Sequence, residues 1–196
     1  MRERQLTRVL VFGDTHIPTR KNSIPEAFFT HIQSTHYDLA MITGDLVQES
    51  EMRAALPELP RAFIVRGNMD FGSEYNFSEQ IQLDEIRFLL IHGTQLRPRG
   101  NLVEFLEILN HTGADVGIHG HTHTASIDLV EGRLFINPGT ISGATGGYTG
   151  RAPASFVELD VNEDTVDITL HYTDWRVIKQ TETSFKKMAG DMIQVQ

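Results

Sequence analysis

The chain has 196 residues, 40% of them hydrophobic, and its 17 Lys and Arg against 26 Asp and Glu give a formal net charge of -9. This size and apolar content predict one globular domain over residues 1–196, with residues 181–196 as a peripheral tail, and exclude a disordered or collagen-like chain. The absence of cysteine excludes disulfides, cysteine-ligated metals and a cysteine nucleophile. The acidic balance argues against binding of long nucleic acids, because that binding needs a basic surface.

The start of the chain indicates neither secretion nor a membrane. Residues 1–8 are charged and lead directly into a strand-like segment, so we expect no secretory signal. No apolar run approaches the roughly 20 residues that span a bilayer. We therefore expect a cytoplasmic protein without membrane contact.

Before residue 120, short apolar runs alternate with helical patterns. The runs predict buried strands at residues 9–12, 39–42, 62–65, 86–91 and 116–118. One helix is predicted from Ile24, with Ser23 as its N-cap and Glu26 as capping-box partner. Ser50 is the predicted cap of a short helix, and the clearest helical period, over residues 101–110, ends before Gly113. This half therefore predicts a largely parallel sheet covered by helices.

After residue 124 the helical period disappears. Residues 126–130 and 133–136 flank a turn, as do residues 155–161 and 165–172, so two hairpins are predicted. The tail is compatible with a helix, an oligomer contact or partial disorder. An antiparallel sheet from this half, packed against the parallel sheet with helices outside, would bury both apolar sets.

Each of the five strands predicted in the first half ends in a polar block that contains glycine. The blocks are Gly13-Asp14-Thr15-His16, Gly44-Asp45, Gly67-Asn68-Met69-Asp70, His92-Gly93 and Gly120-His121-Thr122-His123. Ligands of open α/β sheets bind beyond the carboxyl ends of the strands. We therefore expect these side chains to meet at one edge of a sheet.

The side chains in these blocks have the chemistry of a dinuclear metal site. They are Asp14, His16, Asp45, Asn68, His92, His121 and His123. Imidazole nitrogens and carboxylate or amide oxygens suit manganese, iron, cobalt, nickel and zinc, whereas magnesium is disfavoured because it prefers oxygen ligands. Two divalent ions against two carboxylates leave a formal charge of about +2, which suits a phosphate ester and a hydroxide.

The order of these blocks resembles the calcineurin-like metallophosphoesterase superfamily, and the match extends from Gly13 to His123. The chain length places it near the small microbial phosphodiesterase branch. The segments 13–18, 22–25, 137–140 and 153–157 are also similar to the retromer subunit that shares this fold. The resemblance implies an α/β fold, a four-layer αββα sandwich of two packed mixed sheets flanked by helices.

The same resemblance implies how the ligands are divided. One ion is held by Asp14, His16, Asp45 and His123, and the other by Asp45, Asn68, His92 and His121, so that Asp45 bridges the pair. Asp45, Asn68, His92 and His121 would also act in catalysis, through the hydroxide and phosphate bound to the metals. The implied reaction is attack of a metal-bridging hydroxide on the phosphorus of a small phosphodiester, with manganese the first expectation for the metal.

Met69 departs from the superfamily pattern, which often has His at this position. Methionine cannot donate a useful proton to a leaving oxygen. We therefore expect diesters with acidic leaving groups to react faster than alkyl monoesters. The substrate could be a nucleotide and the chain could form a homo-oligomer; the alternative function is a non-catalytic protein-interaction scaffold like the retromer subunit.

The roles of several other polar residues are left open. His119 is either a strand-end residue or a contact to the site, and Asp70 either orients a ligand or is a polar turn residue. Arg66 is taken as a surface residue. The glycine-rich segment 139–150 is read as a mobile loop beside the site, with Tyr148 and Arg151 as weak candidate substrate contacts. His31, His36, His111 and His171 lie outside the blocks and are assigned no function.

Overall fold

The computed structural model describes residues 6–72, 74–147, 150–173, 175 and 177–195. The strands are β1 (Thr7–Phe12), β2 (Leu39–Ile42), β3 (Ala62–Ile64), β4 (Ser78–Leu83), β5 (Ile86–Ile91), β6 (Val116–Ile118), β7 (Ser126–Val130), β8 (Arg133–Asn137), β9 (Ala154–Asn162), β10 (Thr165–Thr173), β11 (Ile178–Met188) and β12 (Asp191–Gln194). The helices are α1 (Glu26–Ser34), α2 (Glu49–Ala55) and α3 (Leu102–Thr112).

These strands form two mixed sheets. The larger has the order β12-β11-β10-β9-β1-β2-β3, and the smaller has the order β4-β5-β6-β8-β7. In the larger sheet β1, β2 and β3 are parallel, whereas β9 runs antiparallel to β1. In the smaller sheet β5, β6 and β8 are parallel. Each sheet therefore draws strands from both halves of the chain, which supports the proposal of a single domain.

Three apolar clusters separate four layers. Between the sheets, Val9 and Val11 of β1 pack with residues such as Phe88 and Ile118 of the smaller sheet. The alternate residues of β1, Leu10 and Phe12, face the opposite way and pack beneath α1 and α2. A third cluster lies between α3 and the outer face of the smaller sheet. Because successive side chains of a strand point to opposite faces, one buried strand serves two clusters. The αββα sandwich implied by the resemblance is confirmed.

The division of the sheets predicted from the sequence is wrong. We expected one sheet from each half of the chain, but β9–β12 extend the sheet that contains β1–β3, while β7 and β8 extend the sheet that contains β5 and β6. The hairpins themselves are present, as β7-β8 and β9-β10. Hairpins follow from local turn signals, whereas their partners depend on long-range packing.

Two predicted helix starts are also wrong. The first helix begins at Glu26 with Pro25 at its N-cap, and no side chain caps it. The second helix includes Ser50, because its N-cap is Gln48. The third helix lies where it was predicted, and Gly113 ends it at φ 70°. The Asn101 side chain, which the sequence analysis did not identify as a cap, accepts hydrogen bonds from the first turn.

The chain also contains strands that the sequence analysis did not predict. β4 carries one buried residue, Ile81, among half-buried and exposed ones, so its apolar pattern is weak. The tail is neither a helix nor only peripheral: residues in β11 and β12 form the outer edge of the larger sheet, and Phe185 and Met192 enter the core between the sheets. In the described part of the chain, no helix is both long and apolar enough to cross a membrane.

A polar network on the outer face of the larger sheet joins α1 to that sheet. The Glu158 carboxylate of β9 lies 2.9 Å from His31 Nε2 of α1 and 3.0 Å from His171 Nε2 of β10. The hydroxyl of Tyr37 donates to the same carboxylate. Burial alone raises the pKa of Glu158, but hydrogen bonds from His171, Tyr37 and His31 lower it to about 2. His31 and His171, which the sequence left without a role, thus stabilise the fold.

We expect Glu158→Gln to lower the free energy of unfolding by about 1–3 kcal/mol at pH 7, because the uncharged amide accepts these hydrogen bonds less well. Since the pKa of Glu158 is depressed in the folded state, its contribution is complete above pH 4.5 and disappears as the pH falls through about 2. The difference in the free energy of unfolding between Glu158→Gln and the wild type should therefore narrow as the pH falls from 4.5 to about 2. Urea denaturation measures it, with the exposed Glu107→Gln on α3 as control. Equal stability of Glu158→Gln and wild type at pH 7 would contradict the stabilising role of this network.

Candidate metal centre

The structure brings together the seven side chains that the five sequence blocks contain. The segments that follow β1, β2 and β3 carry Asp14 and His16, Asp45, and Asn68, respectively. Those that follow β5 and β6 carry His92, and His121 and His123. The ligands thus come from both sheets, not from the single edge expected. The carboxyl ends of two sets of parallel strands face each other across the junction of the sheets, so neither sheet alone provides the centre.

One group of potential ligands comprises Asp14, His16, Asp45 and His123, whose ligand atoms all lie within 4.8 Å of one another. His16 Nε2 is 3.2 Å from His123 Nε2 and 3.4 Å from Asp45 Oδ2. His123 Nε2 is 3.4 Å from Asp14 Oδ1. These nitrogens and oxygens converge on one small volume.

A second group comprises Asp45, His92 and His121. His92 Nε2 is 3.1 Å from His121 Nδ1 and 3.6 Å from Asp45 Oδ1. The Oδ1 atom of Asn68, an exposed residue, is 3.2 Å from the same His92 nitrogen. Asp45 therefore turns one carboxylate oxygen to each group, which is the geometry of a bridging ligand.

The electrostatics of these groups fit divalent cations. Asp14 Oδ1 is buried and has no hydrogen-bond partner among the described residues. Burial and the neighbouring Asp45 raise the pKa of Asp14 well above its usual value. Burial lowers the pKa of His16 to about 3 and that of His121 to about 4. These two imidazoles are thus neutral at neutral pH, as metal ligands must be, and a cation would be a fitting partner for the buried Asp14 Oδ1.

Backbone carbonyl groups orient two of the imidazoles. His92 Nδ1 lies 2.7 Å from the Thr43 carbonyl oxygen, and His123 Nδ1 lies 2.7 Å from that of Ala144. A proton on Nδ1 satisfies each carbonyl and leaves the lone pair of Nε2 directed at the ligand groups. Spacing in the sequence gives no signal for Thr43 and Ala144, because they act through their backbones.

Five of the seven candidate ligands have left-handed backbone. Their φ values are 49° at Asp14, 48° at His16, 55° at Asp45, 68° at His121 and 61° at His123. Such residues are uncommon outside glycine, and the conformation persists only where the surroundings impose it. The strand ends therefore hold strain at the positions from which the ligands project.

Two glycines allow the backbone to approach the ligands closely. A Cβ at Gly120 would lie 2.7 Å from Asp14 Oδ2, and one at Gly67 would overlap the Asp45 backbone. Any side chain at either position would displace a candidate ligand. This explains why glycine stands in these two blocks.

Asp70 builds the turn that carries Asp45. Its buried carboxylate accepts hydrogen bonds from the backbone N–H groups of Asp45 at 2.8 Å, Leu46 at 2.7 Å, Val47 at 2.9 Å and Gly67 at 2.8 Å. Of the two roles considered for Asp70, the structure supports positioning. Met69 contributes through its backbone, since its N–H donates to Asp45 Oδ1 at 2.8 Å.

Other residues singled out in the sequence lie beside the centre or away from it. His119 is buried against Phe105 and lies 3.3 Å from the Asn137 amide, so it is a packing residue behind the ligands. Arg66 stacks on Phe77. Tyr148 lies outside the described residues.

The reading of segment 139–150 as a mobile loop needs correction. Its first part, residues 139–145, is buried, and it supplies the carbonyl that orients His123. Arg20, which the sequence analysis missed, donates to the Thr145 carbonyl at 2.8 Å, with the same guanidinium nitrogen 3.4 Å from His16 Nε2. A positive charge thus borders the candidate ligands.

Residues 7–164 match the calcineurin-like phosphoesterase superfamily domain. The probable metallophosphoesterase MJ0623 of Methanocaldococcus jannaschii is 34% identical over 130 residues, or 66% of each chain, so the match spans just under two thirds of that relative. A single mutant of Vps29 from Entamoeba histolytica superposes with a TM-score of 0.84 at 28% identity, covering 92% of this chain and 100% of the other. Wild-type Vps29 from the same organism, complexed with zinc, has a TM-score of 0.81 at 26% identity and covers 91% and 99%.

Replacement of Asp70 by Asn should weaken cation binding about 10–100-fold, because an amide nitrogen would face backbone donors that hold the Asp45 turn. Isothermal titration of metal-stripped protein with Mn²⁺ measures the change. Asp167→Asn, an exposed position on β10, is the matched control. Wild-type affinity in a folded Asp70→Asn variant would show that the turn does not depend on this carboxylate.

Proposed function

The chain belongs to the calcineurin-like phosphoesterase superfamily, and from this membership we propose that it is a metal-dependent hydrolase of small phosphodiesters. The observation that carries the proposal is the position of Asp45, whose two carboxylate oxygens face two separate groups of ligands. A single cation would use about half of these buried groups and leave the others without compensation. Two cations on either side of Asp45 account for all of them.

In this proposal the ligands divide as the superfamily pattern implies. Asp14, His16 and His123 share one ion with Asp45. Asn68, His92 and His121 share the other with Asp45. Asp45, Asn68, His92 and His121 act in catalysis as ligands around the reacting phosphate.

Divalent cations supply Lewis-acid chemistry that activates water and stabilises the charge of phosphoryl transfer. The protein contributes rigid ligands, a bordering Arg20 guanidinium and an opening at the exposed Asn68. In the net reaction, a water oxygen bonds to phosphorus, the ester P–O bond breaks, the leaving oxygen departs with that electron pair, and the proton lost by the water passes to the solvent. The Met69 side chain has no proton to give to that oxygen. Leaving groups that are stable as anions should therefore be preferred, which favours activated diesters over alkyl monoesters.

Manganese is the metal that we propose, with nickel, zinc, iron and cobalt as alternatives. The four imidazoles and the carboxylates form a mixed set of nitrogen and oxygen ligands. Such a set disfavours magnesium, which prefers oxygen ligands. The E. histolytica Vps29 complex holds zinc, which is one of the alternatives. A nucleotide substrate, a cytoplasmic location and a homo-oligomer stay predictions.

The alternative function is a protein-interaction scaffold like the retromer subunit. Vps29 structures are among those that superpose on this chain, so the fold alone does not discriminate. What favours the enzyme is the retained set of seven polar ligands, since a scaffold gains nothing from burying four of them or from the strained backbone of five.

The proposal is tested with bis-p-nitrophenyl phosphate and p-nitrophenyl phosphate, using metal-stripped protein reloaded with manganese, nickel, zinc or magnesium. We expect metal-dependent cleavage, fastest with a metal other than magnesium, and a higher kcat/KM for the diester. Asp45→Asn should reduce turnover by at least about 10²-fold, because it removes the carboxylate shared by both ligand groups.

The control is Asp167→Asn, which lies on β10 outside both ligand groups. Absence of turnover with every metal, in protein shown to bind two ions, would favour the scaffold. A higher kcat/KM for an alkyl phosphate monoester than for bis-p-nitrophenyl phosphate would contradict the role given to Met69.

A further inference from the structure

A cavity of about 860 Å³ opens directly beside the candidate metal centre. His123, one of the candidate ligands, lies in its wall, and so do the side chains of Arg99 and Arg151. Pro153, Leu170 and other apolar groups complete the wall. The volume lies in the range of small-molecule sites, which is about 300–1,000 Å³. A ligand bound at the centre could therefore extend into this cavity.

The two arginines give the cavity a local positive charge within a chain of net charge -9. Among the described residues, no carboxylate forms an ion pair with Arg99 or Arg151. The Arg151 guanidinium lies 4.6 Å from the centre of the Trp175 ring, whose indole N–H donates to the Ala152 carbonyl at 3.3 Å. The flat face of the guanidinium therefore packs against the indole ring, and the N–H groups at its edge are available to bind an anion.

Arg99 lies in the loop that precedes α3, and it lines the same cavity. A Cβ built at Gly146 would lie 3.8 Å from an Arg99 guanidinium nitrogen, so this side chain reaches the loop whose Ala144 carbonyl orients His123. Arg99 and Arg151 therefore offer two unpaired guanidinium groups beside an apolar wall, and the metal centre lies at the same opening. Guanidinium binds phosphate, like carboxylate, with two parallel hydrogen bonds, and because the proposed substrate is already a phosphate ester, a second phosphate is the anion that we consider.

We propose that the substrate carries a second phosphate, which Arg99 and Arg151 bind while the reacting diester lies at the metal centre. This inference rests on the proposed phosphodiesterase function and narrows its substrate to a phosphorylated nucleotide or a molecule of similar build. The apolar wall, with Pro153 and Leu170, packs against the organic part that links the two phosphates. The bound cations neutralise the negative charge of the reacting diester, and the two arginines neutralise the negative charge of the second phosphate.

The test uses two substrates that differ only in this second phosphate. They are the p-nitrophenyl ester of thymidine 5′-phosphate and the same ester with an added 3′-phosphate. For the reloaded wild type we expect kcat/KM to be about tenfold or more higher for the bisphosphate, which is the effect of one good charge-assisted contact. Arg151→Gln and Arg99→Gln should each bring the ratio of the two kcat/KM values towards unity. The readout is the ratio of the two kcat/KM values, because a general loss of activity lowers both values equally and leaves their ratio unchanged.

Arg61→Gln is the control, since this exposed arginine stacks on Phe63 and does not line the cavity. It should leave both kcat/KM values at the wild-type level. Equal kcat/KM for the two esters in the wild type, or a preference that persists in both arginine variants, would overturn the second-phosphate site and leave the phosphodiesterase proposal intact. Failure to cleave these esters and bis-p-nitrophenyl phosphate with any metal would overturn both.

Discussion

Two carboxylates and four imidazoles converge where the two sheets meet. Asp14, Asp45, His16 and His92 are buried there, and this burial is the constraint on which the site depends. Burial raises the pKa of Asp14 and of Asp45 and lowers the pKa of His16, so the protein environment favours the neutral form of these three groups. An unpaired buried oxygen such as Asp14 Oδ1 costs free energy. Divalent cations remove that cost by restoring the carboxylates to their charged form. The groups that would destabilise an apolar core are thus the ones that we propose to bind metal.

The backbone around the ligands has to be rigid for this arrangement to persist. Left-handed residues at the strand ends cost of order 1–3 kcal/mol each, and five occur among the candidate ligands. The sheets beneath them are packed on both faces, and Asp70 ties four backbone N–H groups of the turns that hold Asp45. The packing of the sandwich therefore stabilises the strained turns that carry the candidate ligands. Such use of fold stability to maintain a strained functional site is common in proteins.

Much of this could be predicted from the sequence because its signals are local. β2, β5 and β6 occur at the residues that their apolar runs indicate, and the blocks after the strands contain the ligand types. The pairing of the hairpins with particular sheets could not be predicted, since it depends on which apolar faces meet in three dimensions. β4 was missed because one buried residue gives no usable period. Arg20 and Arg99 were missed for the same reason as the sheet pairing, because they lie in separate loops, whereas Arg151 was named only as a weak candidate substrate contact.

The central claim is that two cations bind on opposite sides of Asp45. Anomalous diffraction from crystals of the protein grown with Mn²⁺ tests it most directly, because it locates the ions without reference to turnover. The account predicts two peaks, one between Asp45 and the group of His16 and His123, the other between Asp45 and the group of His92 and His121. A single peak, or two peaks that do not share Asp45, would contradict it.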